Sequence, residues 1–94
     1  MNDTTIVINL HKTAKECIRN EEYEDARLLL EKVLRLDPNN GYAMSDLCFV
    51  HFKLDFKYMN KKECWELIQK ARDLKFSDFE KHTGIKIIMK LKNP

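Results

Sequence analysis

The chain has 94 residues, 44% of them hydrophobic and 34% charged, with two Gly, two Pro and a formal net charge of +2. That length supports one economical core, and the composition excludes a disordered chain and leaves little material for loops, so helices should dominate. A charge this near balance gives no case for nucleic acid or an anionic membrane from the total alone; placement of the charges has to carry it.

No run approaches the roughly eighteen apolar residues of a membrane span. The opening MNDTTIVINLHK has no basic stretch followed by a long apolar one. The expectation is an unexported, cytoplasmic chain. Cys17, Cys48 and Cys64 are odd in number and lack CxxC spacing, which suits a reducing compartment better than a disulfide framework.

In the first twenty residues, Val7, Leu10, Ala14 and Cys17 recur at helical spacing, Ile18 widens the stripe, and Asp3 or Thr4 is the expected N-cap. Asn20-Glu21 is a short connection, so helices one and two should lie antiparallel and adjacent, with Asn20 as the left-handed residue ending the first. Residues 22–36 read as helix two. Tyr23, Ala26, Leu29, Leu30 and Val33 share one face, while Glu24, Arg27, Glu31, Lys32 and Arg35 take the other. Pro38 biases Asp37 out of the helical region and stops it.

Helix three should start at Asn40 and run to Leu54, apolar on almost every side and therefore central. Helix four should take Asn60 as its cap with Glu63 as reciprocal partner, and Cys64, Leu67, Ile68, Ala71 and Leu74 as its inner stripe. Trp65 sits beside that stripe, either covering residues 56–59 or serving as an exposed anchor. Ser77 and Glu80 repeat the capping pattern for a fifth segment. There Ile85-Lys86-Ile87-Ile88-Met89 carries strand composition, although no sheet partner is visible elsewhere.

Tyr23, Ala26, Leu30 and the run Leu36-Asp37-Pro38-Asn39-Asn40, preceded by Leu10 and Ala14, resemble a tetratricopeptide repeat (TPR), with Val33 departing from the family's usual alanine. The resemblance implies an all-α, right-handed superhelix. It would consist of repeat one at about residues 7–40, repeat two at about 41–76, and a C-terminal capping helix at about 77–92 that covers the last repeat. The family period, about 34 residues, predicts that Ala14 recurs as a small residue, and Cys48 is there. Ala26 and Val33 recur as Cys64 and Ala71, but four residues late. Repeat two therefore carries an insertion at residues 55–59, and four residues are about one turn, which a helix three continuing through Tyr58 would absorb.

Motifs for catalysis are missing: no Gly-rich phosphate loop, GxSxG or HExxH occurs, and His11, His51 and His82 are scattered. The expectation is a non-enzyme without cofactor or metal, its cysteines acting as compact apolar side chains.

By the same resemblance, the first helices of the two hairpins line a concave groove for a protein or peptide partner. The positions implied are Ile8, His11, Lys15, Ile18 and Arg19; then Tyr42, Ser45, Phe49, Phe52 and Lys53; and finally Thr83 and Ile87. Aromatic anchors would supply affinity, and Lys15, Arg19 and Lys53 would select acidic groups. Some members clamp a chaperone's terminal carboxylate here with Lys and Asn. In this chain His11, Lys15, Ser45 and Asp46 occupy that neighbourhood, so the clamp is not reproduced. The function expected is an adaptor, assembly factor or small regulator. Two alternatives compete with it: a nucleic-acid binder using Lys81, Lys86, Lys90 and Lys92 with Lys12, Lys15 and Arg19, and a self-associating homo-oligomer joined through an uncapped edge.

Overall fold

A computed structural model describes residues 2–74, and within them the chain is all-α, with four helices and no strand. They are α1 (Asp3–Arg19), α2 (Tyr23–Leu36), α3 (Gly41–Lys53) and α4 (Lys61–Asp73). The expected fifth segment and capping helix at 77–92, with Thr83, Ile87 and the Lys-rich tail, lie outside the described residues. No helix among those described is long and apolar enough to cross a membrane.

Each helix packs chiefly on the next in sequence, which puts α2 and α3 at the centre of the stack. Small residues make close approach possible: Ala14, Ala26, Ala43, Cys48, Cys64 and Ala71 are all fully buried. A first core cluster gathers Val7, Ala14, Ala26, Leu30, Val33, Ala43, Leu47 and Val50, with Leu10, Cys17, Ile18 and Tyr23 packed around it. A second joins Cys48, Cys64 and Ile68, and half-buried Trp65, Phe56 and Met59 pack on it. Trp65 is therefore a packing residue. All three cysteines are free thiols, and Cys48 Sγ donates to the Cys64 carbonyl oxygen at 3.3 Å. The side chain of Cys64, and then burial, push the Cys48 thiol well above its ordinary range and keep it protonated.

The helix ends follow local chemistry, with two departures from expectation and one open option closed. The N-cap of α1 is Asn2 rather than Asp3 or Thr4: its extended backbone lets the side chain accept from the Thr5 N–H at 2.9 Å, which leaves Asp3 to face the positive end of the helix dipole. The left-handed residue after α1 is Glu21 (φ 60°), not Asn20. Its N–H reaches the Ile18 carbonyl and that of Glu22 reaches Cys17, so Glu21 occupies the turning position of a Schellman end. Helix three does not continue through Tyr58 but stops at Lys53. Asp55 (φ 55°) takes the same left-handed position, with Asp55 N–H on Phe52 and Phe56 N–H on His51.

The two hairpins share a plan. The ends Arg19 and Lys53, the turning residues Glu21 and Asp55, and the buried Ala14 and Cys48 are each 34 positions apart. In the second helices the buried trio Ala26, Leu30 and Val33 maps onto Cys64, Ile68 and Ala71, each 38 positions on. The four-residue excess sits in the connection, which is residues 20–22 in the first hairpin and 54–60 in the second. Helix α4 then opens with the expected capping box: Asn60 Oδ1 accepts from the Glu63 N–H at 2.8 Å, and Glu63 Oε1 accepts from the Asn60 N–H at 3.3 Å.

Helix α3 buries polar as well as apolar groups, namely Ser45, Asp46 and His51. His51 is 1% exposed, and neither ring nitrogen has a hydrogen-bond partner. Burial lowers its pKa from the ordinary 6.5; Glu31 of α2 and Glu63 of α4 oppose that, and Arg27 of α2 adds to it. The folded chain therefore holds His51 neutral in a range where the unfolded chain takes up a proton, and the associated stability is lost as pH falls below about 6.5.

Two outcomes check these points. Asn60→Ala should lower stability by about 1 kcal/mol and the melting temperature by roughly 5 °C, and an unchanged melting temperature would contradict the role of the capping box. His51→Leu should raise stability by on the order of 1 kcal/mol by removing unpaired polar atoms. It should also flatten the acid limb of a urea-denaturation series below about pH 6.5, and an acid limb as steep as the parent's would contradict the account.

Candidate functional site

A long-range polar contact within the expected groove joins α1 to α3. His11 Nε2 donates to Asp46 Oδ2 at 2.6 Å, and Lys15 Nζ stands 3.3 Å from the same oxygen. Asp46 is only 4% exposed, and a buried carboxylate needs such partners. Adjacent turns of α1 supply both, because residues four apart share a helix face. The pairing sets α1 beside α3 and gives the two helices one common surface.

The expected groove residues divide by how much of each this surface leaves accessible. Ile8 is 59% exposed, Lys15 and Arg19 are exposed, and so is Lys53 at the end of α3. His11, Ile18, Tyr42, Phe49 and Phe52 are half-buried, and Ser45 is fully buried in the interior of α3. His11 and Lys15 are both engaged by Asp46, so the sequence-level picture of Lys15 as a selector of acidic side chains has to allow for an acid it already meets. Phe49 packs edge-to-face on Tyr23 of α2, with centroids 6.3 Å apart, and Lys53 Nζ lies 5.6 Å from the Phe49 ring and 6.0 Å from Phe52.

The sequence reading placed no partner-facing residue in the neighbouring connection, residues 54–60. Phe56 stands edge-to-face to Phe52 at 6.2 Å. Tyr58 donates its hydroxyl to Glu24 Oε2 at 2.7 Å, and the Arg27 guanidinium lies 3.9 Å from its ring centroid. The Tyr58 hydrogen bond, followed by that of Arg27, holds the Glu24 carboxyl below its ordinary value. Arg27 also forks onto Glu31, 3.2 Å to each oxygen. The available signal was the aromatic and lysine alternation of Phe52-Lys53 and Phe56-Lys57-Tyr58.

At the opposite end of the stack, a hollow of about 320 Å³ is lined by Asp3, Thr4, Val7, Ile8, Leu36, Asp37 and Asn40, and of the expected groove residues it includes Ile8. Among the described residues, no cluster of three His, Cys, Asp or Glu side chains has the arrangement to hold a metal ion.

No protein-family model matches the chain, and no curated protein or solved structure matches it.

Proposed function

We propose that the chain is a protein–protein interaction module of the tetratricopeptide-repeat kind, a short superhelix of two hairpins and a cap. It binds a peptide segment of a partner along the face shared by α1 and α3, as an adaptor, assembly factor or small regulator. The observation that carries this reading is the His11–Asp46 bond at 2.6 Å with Lys15 beside it, which ties α1 to α3 while Ile8 and Arg19 of the one and Lys53 of the other stay exposed and Phe49 and Phe52 half-buried. The 34-residue displacement of small contacts and helix ends supports the repeat architecture. Half-exposed rings flanked by cations suit an extended chain that offers apolar side chains to the rings and polar groups to the rim.

The test is selection of binders from a random displayed-peptide library against the full chain. Phe49→Ala and Arg19→Glu should each weaken a selected peptide by about tenfold or more, with the thermal transition retained and only modest salt sensitivity. Normal binding by both variants, with binding abolished when Lys86 and Lys90 become glutamates, would overturn the reading in favour of the basic tail.

A further inference from the structure

The four residues that break the internal repeat build a surface of their own. Asp55 and Phe56 both adopt left-handed backbone (φ 55° and 57°), although neither is glycine. For an aromatic residue that conformation is costly, and it persists only where surrounding contacts hold it. Here they do: Phe56 is pinned edge-to-face on Phe52, and Tyr58 is fastened to the N-terminal part of α2 by Glu24 and Arg27. The connection is thus fixed in shape before any partner arrives, which lowers the ordering cost of binding.

What it displays is cationic. Lys53 lies over Phe52 at 6.0 Å, Lys57 over Tyr58 at 5.3 Å and Lys61 over Phe56 at 5.9 Å, and all three lysines are exposed. Lys53, Lys57, Lys61 and Lys62 outnumber the acids at this surface, Asp55 and Glu63 with Glu24 beside Tyr58. Phe52 and Phe56 pack edge-to-face, and each of the three rings has a lysine ammonium over its face. Base stacking, which needs an open ring face, is therefore disfavoured, while each ammonium keeps donors directed to solvent.

We propose that the connection at residues 54–60 is a docking element for an acidic segment of a protein partner, whose carboxylates pair with Lys53, Lys57 and Lys61. This rests on the peptide-binding reading above and extends that face past the end of α3. Lys57 and Lys61 carry the specificity, because they belong to the insertion and to the first turn of α4 rather than to the α1–α3 face.

The test uses peptides selected from the random library against the full chain, remeasured by fluorescence anisotropy on the double variant Lys57→Glu/Lys61→Glu, with melting temperature as the folding control. The selected sequences should be enriched in Asp and Glu. Their affinity should fall by about tenfold or more on charge reversal, more steeply at low than at high salt, with little change in melting temperature. Lys57→Gln/Lys61→Gln should give a smaller loss in the same direction. Peptides without acidic enrichment, or with affinity indifferent to the reversal, would overturn the proposal; the α1–α3 reading would stand if Phe49→Ala still weakened them. Failure to select any peptide would sink both. Tight binding of a single-stranded oligothymidylate, lost on the same reversal, would assign the lysines to nucleic acid and overturn the proposal.

Discussion

A carboxylate buried in the middle of a helical stack is the constraint on which this molecule turns. Asp46 sits on α3 at 4% exposure, and leaving such a group ionised without partners would cost several kcal/mol. α1 supplies His11 and Lys15 from adjacent turns of one face. Apolar packing is non-directional and would tolerate some rotation of α1 about its axis, whereas a hydrogen bond of 2.6 Å does not. The polar pair therefore fixes which side of α1 meets α3, and with it which residues of both helices remain outside.

Around that fixed pair the chain repeats itself and then departs from repetition. The first helix of each hairpin ends in the same six-residue hydrogen-bonded turn, with Glu21 and Asp55 in the left-handed position. The second helix of each buries three residues at identical spacing. The departure is confined to residues 54–60, where Phe56 adds a second left-handed residue and Tyr58 reaches back to α2. A backbone held in a disfavoured region by specific contacts is a common mark of function, and this one lies beside the face formed by α1 and α3.

Much of this was legible in the residues. The spacing of Val7, Ala14, Ala26, Leu30, Val33, Cys64, Ile68 and Ala71 encodes which helix faces turn inward, and all of them are buried. The Asn60/Glu63 box could be recognised because its two partners lie three residues apart. Helix ends were harder. Asn2, Asp3 and Thr4 are all good caps, so chemistry alone does not choose among them, and Glu21 takes a left-handed conformation for which its side chain gives no special signal, whereas Asp55 is of a type that adopts it more readily. The end of α3 falls at Lys53, one residue short of the expected Leu54, but without Gly or Pro there the residues also left open a continuation through Tyr58.

The long-range contacts were the least legible. An acid on a helix apolar all round implies a cation nearby, but not that His11 would provide the shorter contact. The most direct measurement on the central claim is therefore a double-mutant cycle between His11 and Asp46, using His11→Ala, Asp46→Ala and the pair, read by chemical denaturation. The account predicts a coupling of about 1 kcal/mol or more, with the double variant far less destabilised than the sum of the singles. Additive effects, with no coupling outside experimental error, would contradict the claim that this pair fixes α1 against α3.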